Sequence, residues 1–407
     1  MTTKTPASKA DRLIGVQEAR QRVLGATPRL QSESLFITEA LRRVLAQDLK
    51  AAHDAPRFAC SAMDGYALKA GGAERVLRVA GESKAGAPAS VQLHDGEAIR
   101  ISTGAAIPEG ADAVIRQEDV IEASGQIELK AEVASGANVR QAGEDILSGS
   151  VVLASGTILG AAELGVAVAA GAGEVQVSRR PRVTVISTGD ELRDPGTELK
   201  PGEIYNTNQL MLGSLAGRCG ALLTKPQHLG DNRAATEAAL DGALWHADVV
   251  IVCGGVSVGL HDHVRPALIR LGVTQHFWGV ALQPGKPTWF GTRGEKLVFG
   301  LPGNPVSAVV TFALFAAPAL WGLQGGFETE THATARLAAP VPLNEAREQA
   351  LRVRIENDHG RTFAVPTGPQ GSHIVSSLVG ADALALIPAG KGQLAAGTQV
   401  PLHALPN

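Results

Sequence analysis

Residues 249–259 read V-V-I-V-C-G-G-V-S-V-G, an apolar run that leads into a glycine-rich loop. Two further apolar runs, Val183–Ile186 and Leu297–Gly300, also lead into loops that contain glycine. Helical patterns follow these runs at residues 208–217, 233–245, 264–271 and 305–320. Continuous apolar strands alternating with helices are typical of a parallel sheet that helices cover on both faces. We therefore predict an α/β domain over residues 181–328, with ligands beyond the carboxyl ends of its strands.

The segments on either side of this domain have a different texture. Residues 51–145 and 329–407 carry short β-type runs separated by glycine, proline and aspartate turns, which predict an inserted β-rich domain and a C-terminal β-barrel. Residues 1–50 have a helical pattern, with leucine and valine spaced as in a helix from Leu41 to Leu49. Residues 146–180 are expected to return and pack on them. Together these two segments form the predicted elongated N-terminal helical domain of a multidomain α/β protein.

Composition limits the classes of function. The 407-residue chain has a formal net charge of -3, so no global basic field recruits nucleic acid or an anionic membrane. Its three cysteines, Cys60, Cys219 and Cys253, are widely spaced and predict neither a disulfide framework nor a structural zinc site. Residues Met1–Arg12 are polar and lack the apolar core of a secretory signal. We therefore expect a cytoplasmic protein that holds anionic ligands through local groups.

One segment, Val306–Leu323, is almost wholly apolar and approaches the length of a membrane span. Asn304-Pro305 before it has the pattern of an N-cap followed by proline at the first helical position. Pro318 interrupts the apolar run, and no cluster of basic residues flanks it as a topology signal. We therefore expect a buried helix of the α/β domain and no membrane span.

The first of four strand-end loops is S-T-G-D-E-L, residues 187–192. The Ser187 and Thr188 hydroxyls and the Gly189 backbone can approach a phosphate, and Asp190 with Glu191 suits a hard cation. A plain turn followed by a capped helix explains the same string equally well.

The second loop contains Gly254, Gly255 and Ser257, and H-D-H follows at residues 261–263. Unobstructed backbone N–H groups just before a helix can cradle an anion. Asp262 could instead be an ordinary N-cap. His261 and His263 invite a zinc hypothesis, which lacks a third ligand at suitable spacing.

The third and fourth loops are P-G-K-P at residues 284–287 and G-L-P-G-N-P at residues 300–305. The stiff backbone around Lys286 suits the presentation of a positive charge to phosphate. Pro302, Gly303, Asn304 and Pro305 combine free backbone donors with the start of a helix, which favours an anion. A solvated lysine and a rigid strand-to-helix connection are the structural alternatives.

The predicted inserted domain contains S-A-M-D-G-Y-A at residues 61–67 and R-I-S-T-G at residues 100–104. Asn138-Val139-Arg140 and Glu144-Asp145 follow near its end. Nothing in the spacing alone brings Asp64, Thr103 and Asp145 together, and each could be an ordinary turn residue.

These strings, in this order, resemble the molybdopterin molybdenumtransferase family, to which bacterial MoeA and the E domain of gephyrin belong. The resemblance covers residues 12–400 and is most specific in S-A-M-D-G-Y-A, S-T-G-D-E-L, G-G-V-S-V-G, P-G-K-P and G-L-P-G-N-P. It implies four domains and an elongated homodimer in which the α/β site of one subunit faces the inserted domain of the other.

The resemblance also implies roles for individual residues. Those matching catalytic positions are Asp64, Thr103, Asp145, Glu191, Asp231 and Asp262. Glu191, Asp231 and Asp262 would bind Mg²⁺ through their carboxylates. Residues expected to bind substrate are Arg140, Ser187, Thr188, Gly189, Asp190, Gly254, Gly255, Ser257, Lys286, Pro302, Gly303, Asn304, Pro305, Arg352 and Ser372. Some relatives carry lysines where this chain has Gly279 and Gln283, so Lys286, Arg140 or Arg352 would have to receive molybdate.

The implied reaction converts adenylylated molybdopterin and molybdate into molybdenum cofactor, AMP and water. Transient contacts with molybdopterin adenylyltransferase and molybdoenzyme chaperones are further expectations. Two alternatives stay open: the adenylyltransferase reaction itself, and a non-catalytic scaffold like gephyrin. The adenylyltransferase usually lacks the S-A-M-D-G-Y-A domain and has G-G-T-G in its glycine loop, and this chain shows no long linker typical of a scaffold.

Overall fold

The computed structural model describes residues 13–230, 232–255, 263–326 and 333–406. The first part of the chain, up to residue 178, is mostly β-structure. Its helices and strands are α1 (Val16–Gly25), β1 (Ser32–Phe36), β2 (Leu49–Lys50), β3 (Cys60–Ser61), β4 (Gly65–Leu68), β5 (Arg75–Ser83), β6 (Glu97–Ile101), β7 (Ala113–Arg116), β8 (Val120–Ala123), β9 (Gln126–Leu129), β10 (Val139–Arg140), β11 (Val151–Leu153), α2 (Ala161–Ala169) and β12 (Glu174–Ser178).

Within the described residues 13–50, the predicted helical pattern forms an α-helix only in α1, and the expected helix around Leu41–Leu49 is wrong. Arg42 has a φ of 61°, which a right-handed helix does not allow. Val44 and Leu45 instead form antiparallel bridges with Ile158 and Val177. The apolar spacing reflects burial against a distant segment, because strand partners more than a hundred residues away supply the hydrogen bonds.

Residues 151–178 return to the N-terminal segment. Strand β12 pairs with β1, and β11 pairs with β2, both antiparallel. Between these returning strands lies a six-stranded sheet in the order β7-β4-β6-β5-β9-β8. Its buried side chains, including Tyr66, Leu68 and Ile127, form a separate apolar cluster. Along the chain, the six-stranded sheet thus lies between two segments that pair with each other.

The central part of the chain forms a sheet with helices on both faces. Its elements are β13 (Arg182–Thr188), β14 (Leu192–Arg193), β15 (Ile204–Tyr205), α3 (Thr207–Arg218), β16 (Leu222–Leu223), β17 (Gln227–Leu229), α4 (Arg233–His246), β18 (Val249–Cys253), α5 (Val264–Arg270), β19 (Thr274–Trp278), β20 (Leu282–Gln283), β21 (Trp289–Arg293), β22 (Lys296–Leu301), α6 (Pro305–Thr311) and α7 (Ala317–Leu323).

Strands β16, β13, β18 and β22 run parallel, and the antiparallel strands β21 and β19 extend the sheet at one edge. Within β18, Val249 and Ile251 pack into the cluster with α3, α6 and α7, whereas Val250 and Val252 pack against α4 and α5. Both faces of the strand are therefore buried. This explains why the sequence shows a continuous apolar run instead of alternation.

The apolar helix is buried, as expected. It consists of α6, a π-helical turn at Phe312–Ala316, and α7. Pro318 has no N–H for a helical hydrogen bond, and the widened turn immediately before it accommodates this loss. By length and composition Pro305–Leu323 could cross a membrane, but 89% of its apolar window is buried inside the protein. It is a core helix.

The C-terminal part forms a closed five-stranded barrel. Strands β25, β26, β23, β29 and β27 pair in that order, and β27 pairs back with β25. Strand β20 pairs with β25 and so joins the α/β part to the barrel. The strands of this part are β23 (Thr334–Leu337), β24 (Val341–Pro342), β25 (Glu348–Asp358), β26 (Arg361–Pro366), β27 (Ala383–Ile387), β28 (Gln393–Leu394) and β29 (Gln399–Ala404).

Candidate functional site

A cleft of about 590 Å³ lies at the carboxyl ends of the parallel strands β13, β18 and β22. We call it the strand-end cleft. Its position follows from the topology, because parallel strands that carry different loops all end at one edge of the sheet. The residues that line it are Ser187, Thr188, Glu191, Leu192, Ile204, Tyr205, Asn206, Thr207, Asn208, Cys253, Pro287, Pro302, Gly303, Asn304, Pro305 and His373.

Two of the four predicted loops contribute several residues to this cleft, and the second loop packs against both of them. Ser187 and Thr188 come from the first loop, and Pro302 to Pro305 come from the fourth. The second loop touches both: Gly254 has a φ of 92°, and a Cβ there would lie 2.8 Å from Thr188 Oγ1. The backbone N–H of Gly254 also donates to the Leu301 carbonyl at 3.1 Å. Glycine at position 254 therefore permits the close approach of the loops.

The Glu191 carboxylate lies over Gly189 at the cleft. Glu191 is exposed, and in the described part of the chain its carboxylate has no cationic partner. Gly189 has a φ of 145°, and an added Cβ would lie 2.4 Å from Glu191 Oε2. The neighbouring Asp190 is exposed but does not line the cleft. The glycine thus gives the carboxylate the space in which it sits.

We expect Gly189→Ala to lower activity about tenfold and stability by about 1–2 kcal/mol, because the methyl group displaces Glu191 and the backbone is strained. Gly196→Ala is the matched control, since Gly196 also has a positive φ, of 86°, but its Cβ would enter open space. Activity and thermal unfolding of both variants provide the measurement. Equal activity in the two variants would contradict a steric effect on Glu191.

The third loop reaches the cleft through Pro287 alone. Lys286, the residue before it, is exposed, and its carbonyl accepts a hydrogen bond from the Val280 N–H at 2.9 Å. The Gly285 carbonyl accepts from Thr288 Oγ1 at 2.6 Å. The backbone of this loop is therefore fixed, while the ammonium group of Lys286 is in solvent beside the cleft.

The start of α6 connects the cleft to the C-terminal barrel. Asn304 Nδ2 donates to Ser372 Oγ at 3.2 Å, and the Val306 N–H donates to the Ser372 carbonyl at 3.2 Å. His373 lines the cleft. Ser372, which the resemblance implied as a substrate-binding residue, thus contacts the predicted anion-binding turn.

Arg352 is fully buried and contacts residues 369–371, the segment that directly precedes Ser372 and that we call the Ser372 loop. Its Nη2 donates to the carbonyls of Pro369 and Gly371 at 3.3 Å, and its Nε donates to Ser377 Oγ at 3.1 Å. Burial lowers the pKa of the guanidinium to about 10, so it stays charged at neutral pH. Its Nη1 is buried and has no hydrogen-bond partner. A buried cation with an unused donor is suited to receiving an anion.

Three polar residues of the cleft were missed in the sequence. Asn206 caps α3 and donates from Nδ2 to Ser187 Oγ at 2.6 Å. Asn208 Nδ2 donates to the Gly303 carbonyl at 2.6 Å and to Cys253 Sγ at 3.1 Å. Burial raises the pKa of the Cys253 thiol to about 12, so it stays protonated. Asn206, directly before α3, was a visible capping signal, but nothing local indicated the partners of Asn206 or Asn208.

A second group of the predicted site residues lies in and around the inserted sheet. Asp64 Oδ1 accepts a hydrogen bond from the Thr103 N–H at 2.7 Å, so these two residues meet although they are 39 positions apart. Arg140 is exposed and pairs with Cys60 of β3, the strand that immediately precedes the Asp64 turn. Asp145 is exposed, and its N–H donates to the Ala55 carbonyl at 3.1 Å. None of these residues lines the strand-end cleft of its own chain.

Several predicted residues lie outside the described part of the chain: Asp231, Ser257 and Asp262, together with His261 of the zinc hypothesis. Among the described residues, no three His, Cys, Asp or Glu side chains come together as a metal-binding cluster. Glu191 is therefore the one predicted magnesium ligand whose position is described. Its unpaired carboxylate at the cleft has the oxygen chemistry that hard cations prefer.

Comparisons with known proteins cover the whole length of the chain. Matching family descriptions are "MoeA N-terminal region (domain I and II)" over residues 14–171, "Probable molybdopterin binding domain" over 184–321, and "MoeA C-terminal region (domain IV)" over 334–405. Molybdopterin molybdenumtransferase of Haemophilus influenzae is 36% identical over 398 residues, which cover 96% of this chain and 98% of the relative. The Bacillus subtilis enzyme of the same name is 34% identical over 392 residues, or 93% and 90% of the two chains.

Solved structures agree with these relatives. The crystal structure of the molybdopterin biosynthesis MoeA protein from Pyrococcus horikoshii superposes with a TM-score of 0.81 at 33% sequence identity. The match covers 97% of this chain and 99% of that one. The similarity thus includes the inserted sheet and the C-terminal barrel as well as the α/β part.

Proposed function

The chain belongs to the MoeA family of molybdopterin molybdenumtransferases and is an enzyme of molybdenum-cofactor biosynthesis, and we propose that the strand-end cleft is where it inserts molybdenum into adenylylated molybdopterin. One observation carries the location. The ends of three neighbouring parallel strands meet around a single cavity, and the residues there supply hydroxyls, backbone donors and one carboxylate. Sites of this kind in α/β sheets hold anionic ligands.

The physical problem in this reaction is repulsion between anions. Molybdate is a dianion, and adenylylated molybdopterin carries a pyrophosphate and a dithiolene. Two unit charges at 4 Å repel by about 4 kcal/mol at an effective dielectric constant of 20. The protein must place positive charge and oriented dipoles where the two anions approach each other. The released AMP would then carry away one of the anionic groups.

We propose that Arg352 and Lys286 provide this charge, since Gly279 and Gln283 cannot. Gln283 Oε1 accepts a hydrogen bond from Asn344 Nδ2 at 2.5 Å, and Gly279 has no side chain. Arg352 combines a full charge with an unused Nη1 donor behind the Ser372 loop. Lys286 offers an exposed charge beside Pro287. Oxyanion binding would therefore involve one buried and one solvent-exposed cation.

We further propose that Glu191, with Asp231 and Asp262, holds Mg²⁺ at the cleft. Its carboxylate has no cation beside it in the described residues, which would leave a negative charge next to an anionic substrate. A bound magnesium ion would supply charge neutralisation and ligand sites for phosphate oxygens. The two hydroxyls of Ser187 and Thr188 lie in the same cleft and can orient the phosphates.

The function is tested by mixing the purified protein with adenylylated molybdopterin, Mg²⁺ and either molybdate or tungstate. We expect one AMP released for each metal atom incorporated, with bound metal measured by mass spectrometry. Absence of AMP with both oxyanions would reject the proposal. Production of adenylylated molybdopterin from ATP and free molybdopterin would favour the adenylyltransferase alternative, and full cofactor synthesis by an Asp262→Lys variant would favour a scaffold.

We propose that the active unit is a homodimer. Asp64, Thr103 and Arg140 lie around β3 and β10, a strand pair beside the inserted sheet, and do not line the cleft of their own chain. An arrangement in which the inserted sheet of one subunit faces the cleft of the other would bring the two groups together. Localisation in the cytoplasm and transient contacts with molybdopterin adenylyltransferase and molybdoenzyme chaperones are part of the same proposal.

A complementation experiment tests the shared site. Asp64→Ala and Glu191→Gln are each expected to be nearly inactive alone. When the two are co-expressed in equal amounts, about half of the dimers contain both variants, and one of the two sites in each has no substitution, so about a quarter of wild-type activity returns. If both residues acted within one subunit, co-expression would restore nothing. Each variant expressed alone is the control.

A further inference from the structure

Hydrogen bonds to backbone carbonyls hold the turn Pro302-Gly303-Asn304-Pro305 in place. The Leu301 carbonyl accepts from the Gly254 N–H, the Pro302 carbonyl accepts from the Cys253 thiol at 3.2 Å, and the Gly303 carbonyl accepts from Asn208 Nδ2 at 2.6 Å. Asn208 also donates to the Cys253 sulfur, so the two side chains support each other. These hydrogen bonds fix the orientation of three successive carbonyls.

The direction of the carbonyls determines the direction of the N–H groups. In a trans peptide the C=O and the N–H point to opposite sides, and neither the 302–303 nor the 303–304 bond is cis. Pro302 and Pro305 have no N–H, so Gly303 and Asn304 provide the only two backbone donors of the turn. Within the described residues neither N–H has an acceptor. Both belong to residues that line the cleft.

We propose that Asn208 and Cys253 are positioning residues that fix these two peptide planes so that the N–H groups of Gly303 and Asn304 face a bound oxyanion. The orientation of the Asn208 amide is not ambiguous, because the Gly303 carbonyl at 2.6 Å requires a donor. Cys253 acts as a hydrogen-bond donor and not as a nucleophile, since it is buried and keeps its proton. The inference rests on the proposed function in one respect, the presence of an oxyanion in this cleft.

The oxyanion has two possible sources, the phosphate of the nucleotide and molybdate. Titration calorimetry of the full-length protein with AMP, molybdate and neutral adenosine separates them. In Asn208→Ala we expect the affinity for AMP or for molybdate to fall about tenfold, while the affinity for adenosine stays within about twofold. A residue that merely stabilised the fold would weaken adenosine to the same extent.

Two substitutions of Cys253, one that removes its hydrogen-bond donor and one that keeps a donor, provide an independent test of the positioning role. Cys253→Ala removes the donor to Pro302 and should weaken the same anion about threefold, whereas Cys253→Ser keeps an O–H donor and should restore most of it. Ser214→Ala is the matched control on α3, because this exposed side chain bonds to the Leu210 carbonyl and does not line the cleft. Its anion affinity should equal that of the wild type. Should Asn208→Ala fail to fold, the Cys253 pair decides the question.

The outcomes separate this inference from the proposed function. Wild-type protein that releases no AMP from adenylylated molybdopterin would reject the proposed function. Wild-type protein that releases AMP, together with Asn208→Ala and Cys253→Ala variants that bind both anions as tightly as the wild type, would reject the positioning role. A selective loss of AMP affinity would assign the turn to the nucleotide phosphate, and a selective loss of molybdate affinity would assign it to the metal oxyanion.

Discussion

Glu191→Gln is expected to reduce the rate of AMP release by about 100-fold or more while leaving the protein folded. The substitution keeps the shape of the side chain but removes the charge that lies at the cleft without a cationic partner in the described residues. Loss of one preorganised electrostatic group in an active site costs about 10²–10³ in rate. The carboxylate is exposed, so its removal should change stability by less than about 0.5 kcal/mol.

The measurement is the rate of AMP release at increasing Mg²⁺ concentrations. If Glu191 holds the ion, the variant should need more Mg²⁺ than the wild type to reach its lower maximal rate. Glu198→Gln is the matched control, because Glu198 is another exposed glutamate of the same region that does not line the cleft. A Glu191→Gln rate within twofold of the Glu198→Gln rate would remove Glu191 from the catalytic set.

Arg352→Met should raise the molybdate concentration needed for half-maximal activity by about 100-fold. A charged hydrogen bond to a buried anion is worth about 2–5 kcal/mol when one partner is removed. Methionine fills much of the same volume, and a buried charge replaced by an apolar side chain is often neutral for folding. The Pro369 and Gly371 carbonyls lose a donor, which costs roughly 1–3 kcal/mol. Thermal unfolding should therefore show a folded variant that is about 1–3 kcal/mol less stable, and the molybdate dependence is measured on that folded protein.

Two further variants make the Arg352 result interpretable. Arg352→Lys keeps the charge but loses the forked hydrogen bonds, and should fall between the wild type and methionine. Arg354→Met changes an exposed arginine two residues further along β25, where it pairs with Glu356, and should leave molybdate dependence unchanged. Folded Arg352→Met with unaltered molybdate dependence would show that the guanidinium only supports the Ser372 loop.

The amino-acid sequence by itself determined most of the α/β architecture. Strands such as Val249–Cys253 are buried on both faces, so each of their residues had to be apolar, and this pattern is readable without coordinates. The loops after these strands could be assigned to one edge of the sheet because parallel strands must end together. Burial of the helix after Pro305 followed from its N-cap, its prolines and the absence of flanking charge.

Tertiary structure alone decided which polar groups meet. Asp64 and Thr103 form a hydrogen bond although 39 positions separate them. Asn208, Cys253 and Gly303 lie in three distant segments and meet only because the strands of the sheet are neighbours. The spacing of Val44 and Leu45 wrongly predicted a helix, because the residues that pair with them, Ile158 and Val177, are remote in the sequence. A sequence pattern indicates which positions of a segment are buried. The direction of a carbonyl or an amide depends instead on distant segments, and at this cleft that direction creates the donors for an anion.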